Sequence, residues 1–168
     1  MNAEPRRPRV GAALFAVLAA GCAVVGPAAL PPGADEASVR ATMGLPTAVH
    51  AIADGARRLE YASGPFGHST YMFDFDASGV PLRAGNVLTE ANFASIQPGL
   101  DRAGLRERLG PPSRIWSVRY RNQTVWSYRY VNPFCKLFHV GITPQGRVED
   151  TSYGPDPLCD DDDRPRRR

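Results

Sequence analysis

Histidine and cysteine are scarce in this chain, and their scarcity sets the first limits. The 168 residues hold three histidines, His50, His68 and His139, far apart and in no HxxH pattern, and no CxxC pair. Zinc sites draw on closely spaced Cys and His, so no metal ligand is expected. There is no GxSxG elbow and no glycine loop shaped to cradle a phosphate. No catalytic residue and no cofactor is expected, and the chain reads as a non-enzyme. A basic surface is also missing. The formal net charge is +3, and Arg6, Arg7 and Arg9 against Glu4 in the leader account for two of it. A remainder so near neutrality carries no face that tracks phosphates, which excludes nucleic acid as a partner.

What the chain does contain is a statement made twice. Residues 31–46, PPGADEASVRATMGLP, recur sixty-six positions later as 97–112, QPGLDRAGLRERLGPP, with seven identities in sixteen positions. Pro32, Gly33, Asp35, Ala37, Arg40, Gly44 and Pro46 are repeated as Pro98, Gly99, Asp101, Ala103, Arg106, Gly110 and Pro112. Such agreement at one offset marks an internal duplication. Each copy spells a short capped helix. Asp101 is placed to accept from the first-turn amides, Gly110 to end the helix in a left-handed conformation, and Pro111 and Pro112 to forbid its continuation. Leu105 and Leu109 make an i, i+4 ridge that must pack on something.

The N-terminus is a basic leader followed by VGAALFAVLAA and Gly21-Cys22, the pattern of a secretory signal of the lipoprotein type. Cys22 is then the lipidated residue, and acyl chains at about 0.8 kcal/mol per buried methylene hold the protein on a bilayer without a spanning helix. An uncleaved membrane helix over 10–30 and ordinary secretion are the competing expectations. By resemblance to bacterial lipoproteins, Ala23 after the cysteine favours sorting to the periplasmic face of the outer membrane.

Further along, STYMFDFDASGV alternates Tyr71, Phe73 and Phe75 with Met72, Asp74 and Asp76, as a half-buried strand does. Asp74 and Asp76 fall on its outer side, where a solvated strand face accounts for them better than a metal or acid-base pair. Residues 48–61 show little pattern. Thr89 is placed to cap a short helix with Leu88 and Phe93 as its apolar contacts. The runs IWSVRY and VWSYRY follow as a hairpin closed by Arg121-Asn122-Gln123, with Trp126, Tyr128 and Tyr130 on one face. Two more strands are expected, over 137–142 and 147–153. Phe73, Phe75 and Gly79 match Val140, Ile142 and Gly146 at an offset of sixty-seven, so the duplication extends into the strands. Three cysteines leave one over, and with Cys22 lipidated the remaining two can pair. In an oxidising compartment Cys135 and Cys159 are expected to bridge, closing a loop of about 25 residues worth roughly 3 to 4 kcal/mol, with two free thiols as the competing state. The tail DDDDRPRRR reads as a disordered polyampholyte.

The stretch LTEANFASIQPGLDRAGLRERLGPPS, then WSYRY, then LFHVGITPQGRVED resembles the SmpA/OmlA (BamE-like) family of small outer-membrane lipoproteins. The residues that carry the likeness include Gly99, Leu105, Gly110, Pro112, Trp126, Tyr128 and Gly146. The extra copy upstream departs from that family, and the tandem is similar in arrangement to β-lactamase inhibitory proteins. The resemblance implies an α+β fold of two related units of short helices packed on a small antiparallel sheet. The chain would divide into a signal peptide (1–21), a lipid-anchored tether (22–32), a degenerate first repeat (33–87), a BamE-like unit (88–157) and a charged tail (158–168). It implies a scaffold in outer-membrane β-barrel assembly and envelope integrity. Its partners would be β-barrel assembly machinery components or other envelope proteins, met through interface side chains such as Arg119, Tyr120, Arg121 and Arg129. The alternative is a periplasmic enzyme inhibitor or ligand-binding module that uses the groove between the units.

Overall fold

The computed structural model describes residues 27–159; Cys22, the leader and residues 160–168 lie outside them. The chain runs through α1 (Glu36–Met43), β1 (Ala48–Ala51), β2 (Arg57–Ala62), β3 (Thr70–Phe75) and β4 (Pro81–Asn86). It continues through α2 (Glu90–Phe93), α3 (Arg102–Leu109), β5 (Arg114–Val118), β6 (Gln123–Arg129), β7 (Lys136–Ile142) and β8 (Val148–Pro155). The strands form two antiparallel meanders, β1-β2-β3-β4 and β5-β6-β7-β8. The α+β expectation is therefore corrected. Strands take 38% and helices 22% of the described residues, in two four-stranded sheets with only short helices. Three strands escaped notice, β1, β2 and β4: residues 48–62 hold a four-residue strand and then RRLEYA, whose charged residues mask the alternation of Leu59 and Tyr61, and PLRAGN carries no strong apolar period.

The duplication is visible element by element. Asp35 accepts from the Ser38 amide at 2.8 Å, and Asp101 accepts from the Gly104 amide at the same distance. Gly44 and Gly110 close the two helices with φ of 78° and 75°. Across the sheets the row Val49, Leu59, Phe73, Ala84 returns as Ile115, Trp126, Val140, Thr151.

Each sheet buries one face in its own apolar cluster. Val39 of α1 packs with Leu59, Tyr61, Phe73 and Phe75, and Leu30, within the stretch expected as tether, packs against them. Leu105 and Leu109 of α3 join Phe93, Trp126, Tyr128, Phe138, Val140 and Ile142 in a larger second cluster. Met72, from the opposite face of the first sheet, belongs to that second cluster. Through Met72, α2 and α3 lie between the two sheets. Gly110 is required by this contact, since a Cβ there would stand 2.8 Å from the Thr70 methyl. Pro112 ends the turn into β5, and Gly146 turns β7 into β8 with φ 78°.

Candidate functional site

The face of the first sheet that meets α3 is polar. Glu60 is fully buried there, with His50 Nε2 at 3.0 Å and the Arg106 guanidinium at 3.9 Å from its carboxylate. Burial pushes the Tyr128 hydroxyl well above its ordinary range, with Arg106 opposing and Glu60 reinforcing the shift to a smaller extent. Glu60 Oε1 and the Tyr128 hydroxyl are buried without a hydrogen-bond partner among the described residues. Asp74 does not face solvent as the alternation suggested. It is buried in a bidentate pair with Arg58, whose Nη1 also donates to the Glu107 carbonyl of α3 at 2.8 Å. Asp76 caps the following turn by accepting from the Ser78 and Val80 amides.

Beside this buried patch the two units leave a groove of about 690 Å³ between β4 and the helices α2 and α3. Arg58, Arg83 and Arg108 contribute cationic groups to it and Asp74 and Glu107 carboxylates, while Asn86 and Asn92 supply amides. Arg58 is neutralised by Asp74. Among the described residues neither Arg83 nor Arg108 takes part in an ion pair, and Arg108 donates only to the Ser95 carbonyl at 3.2 Å. A second, apolar cleft of about 250 Å³ lies on the other face of β4, over Phe73, Phe75, Tyr71 and Leu30.

A third feature has the outline of a nucleophile and base. Ser127 Oγ is 2.8 Å from His139 Nδ1 on the outer face of the second sheet. The Trp116 indole N–H donates into the same oxygen at 3.0 Å, and the serine is fully buried. His139 packs against Gly154, where a Cβ would come within 2.6 Å of Nε2. Burial, and then Arg114, hold the imidazole below its usual pKa. The hydroxyl is packed away from any substrate.

At one end of the molecule three loops meet. Arg129 makes a bidentate pair with Asp156, and its Nη1 donates to the Pro65 carbonyl at 2.6 Å. Hydrogen bonds from the guanidinium hold the Asp156 carboxyl below the usual carboxylate range. Cys135 and Cys159 are joined by a disulfide with a Cα separation of 6.2 Å. Strand β7 starts only at Lys136, so Cys135 meets its partner from a turn with φ 48°. On these loops Phe66, Val131 and Phe134 stand 73%, 79% and 74% exposed, and Leu158 is half-exposed.

The expected interface residues are thus dispersed. Arg129 is 7% exposed with its donors engaged, so it is a structural tie and not a contact side chain. Arg121 pairs with Asp150 at 2.6 Å and holds Glu149 within 3.8 Å. Arg119 and Tyr120 sit in a 3-10 turn, Tyr120 90% exposed, rather than continuing β5. The family-motif positions build the fold. Leu105, Trp126 and Tyr128 are core, and the Gly99 amide donates to the Val148 carbonyl at 2.8 Å. Sequence reasoning missed Arg58, Glu60, Arg83 and Arg108. At offset sixty-seven Arg58 stands where the second unit has Val125, and Glu60 where it has Ser127. A charge replacing a small or apolar residue in a copied strand was the available signal. Among the described residues no group of three or more His, Cys, Asp and Glu comes together, and no helix is long and apolar enough to cross a membrane.

No family model and no curated protein matches the chain. Among solved structures it is similar to a DUF4309 family protein, YjgB, from Bacillus subtilis. The identity is 16%, the match covers 72% of this chain and 78% of that one, and the TM-score is 0.29. A likeness at that score carries no argument about function.

Proposed function

We propose that this protein is a lipid-anchored outer-membrane lipoprotein that acts without catalysis, as a scaffold in β-barrel protein assembly and envelope integrity. The observation that carries the reading is the loop end described above. Four large apolar side chains, Phe66, Val131, Phe134 and Leu158, are held in water on three loops tied by a disulfide and a buried ion pair. Apolar side chains held exposed on tied loops favour binding of another macromolecule, because leaving them solvated costs about 25 cal/mol per Å². The disulfide agrees with an oxidising compartment such as the periplasm. Resemblance of residues 88–155 to the SmpA/OmlA family supplies the envelope setting, and Cys22 the anchor.

Crosslinking in intact cells, with membrane fractionation and mass spectrometry of the captured proteins, tests this for wild type and Cys22→Ala. The reading expects wild type in the outer membrane with barrel-assembly subunits attached, and a soluble variant that loses them. Capture of a soluble periplasmic enzyme, retained without the anchor, would replace the scaffold by an inhibitor that uses the groove between the units.

A further inference from the structure

The two clefts beside β4 have different chemistry and share one strand. In an antiparallel ladder, alternate residues turn their N–H and C=O toward the neighbouring strand and away from it. The Val87 amide donates to the Thr70 carbonyl at 2.8 Å, which sets the phase of that alternation. Arg83 and Gly85 therefore bond to β3, and the backbone groups of Ala84 and Asn86 point outward. β4 is the last strand of its sheet, so among the described residues no strand meets them.

The second unit treats the matching strand differently. There the Val148 amide donates to the Leu100 carbonyl at 2.8 Å and the Val148 carbonyl accepts from Gly99, so the start of β8 is tied to the segment before α3. Glu149 and Asp150 place two carboxylates farther along that strand. Charge on an edge discourages pairing with another chain. Pro81 occupies the place of Val148 in the first unit. It has no N–H to give, so that tie cannot form. The residues that follow, Leu82, Arg83, Ala84 and Gly85, are exposed and carry one charge, the Arg83 guanidinium, in place of the two carboxylates of β8.

We propose that the edge of β4 is a docking site for an extended segment of a partner polypeptide, which adds as a fifth strand and alternates apolar with acidic side chains. Strand addition takes its affinity from main-chain hydrogen bonds and its selectivity from pockets that receive alternate side chains. Ala84 shares a face with Phe73 and Arg83 shares one with Asp74, so successive side chains of an added strand fall over opposite faces. On one face lies the apolar cleft formed by Tyr71, Phe73, Phe75 and Leu30. On the other lies the groove where Arg83 and Arg108 present guanidiniums without a carboxylate partner. This site rests on the reading of the chain as a protein-binding scaffold, but it does not depend on the anchor or on the identity of the machinery.

The test measures fluorescence anisotropy of two short labelled peptides, one alternating valine with glutamate and one alternating valine with lysine, against the full-length chain. The glutamate peptide should bind at least about tenfold more tightly, a difference of about 1.4 kcal/mol. Ala84→Pro removes an outward N–H that β3 does not use, a substitution that edge strands tolerate. It should weaken the glutamate peptide by about tenfold or more with an unchanged melting midpoint. Should that variant fail to fold, amide exchange on wild type decides, with Ala84 and Asn86 gaining protection when peptide is added. Equal binding of the two peptides, undiminished binding by folded Ala84→Pro, protection on β5 instead, or no binding would each overturn the site. So would protection of Ala84 in the free full-length chain that is lost when residues 160–168 are removed, since the chain's own tail would then be the occupant. Failure of peptide binding with crosslinking to barrel-assembly subunits intact would remove this site and leave the scaffold reading standing.

Discussion

The first and second units are built on one plan and stabilised in different ways. Both contain an aspartate-capped helix of eight residues, and both place a tyrosine on the strand beside the central row of their sheet. The second buries an extensive apolar cluster, closes its open end with a disulfide and ties down the start of its last strand. The first has a smaller cluster, keeps charges on its second face and, among the described residues, leaves the outer edge of its last strand without a strand partner. Those charges are tolerable because α3 of the second unit covers them, supplying Arg106 to Glu60 and the Glu107 carbonyl to Arg58. A buried carboxylate without such partners would cost several kcal/mol. The difference teaches that duplication separates two tasks, with one copy holding the fold and the other free to expose a strand.

The largest effect that would sharpen this contrast is expected from Leu105→Ala, which empties the centre of the second cluster and should cost about 2–5 kcal/mol in urea unfolding. Amides of Leu59 and Val140 should lose exchange protection together, because the first sheet depends on α3. A Leu59 amide that keeps its protection would make the units independent. Next, Cys159→Ser should lower stability by about 3–4 kcal/mol, read from the urea midpoint in non-reducing buffer. An unchanged midpoint would show that the disulfide does not distinguish the second unit.

A finer contrast lies in the paired tyrosines. Tyr61 donates to the Gly44 carbonyl at 3.1 Å, whereas the Tyr128 hydroxyl is buried with no partner among the described residues. Tyr61→Phe should therefore cost about 1 kcal/mol while Tyr128→Phe is neutral or stabilising. Equal costs in thermal melts would mean the two sites are satisfied alike. The smallest effect is in pH. His139, which occupies the place of Met72 in the first unit, is held neutral by burial, with its pKa below the ordinary value. The unfolded chain takes up that proton first as pH falls, so this part of the stability is present above about pH 6.5 and declines below it. His139→Gln should flatten the melting midpoint between pH 7 and 5, and a slope that persists would assign the dependence elsewhere.

Much of this plan is legible in the chain. The caps at Asp35 and Asp101, the terminating glycines, the aromatic face of β6 and the pairing of Cys135 with Cys159 follow from local rules that the tertiary structure leaves intact. The strand-rich architecture was not legible, because β1 is too short for a period and β2 is buried on both faces. Alternation of apolar with charged residues then no longer marks the solvent side, which is why Asp74 was placed outside. Arg129 misled for a related reason. An arginine in an aromatic strand suits an interface, yet its partners Asp156 and Pro65 are 27 and 64 residues away and no local pattern announces them. The edge of β4 was hidden as well, since its meaning lies in the comparison of Pro81 with Val148.

The central claim is that the second unit secures the strand edge which the first leaves open, and site-resolved amide exchange of the unliganded full-length chain tests it most directly. The account predicts a slow Val148 amide, bonded to Leu100, and an Ala84 amide exchanging at close to the rate of an unstructured chain. Equal protection of the two, or a slow Ala84 beside a fast Val148, would contradict it.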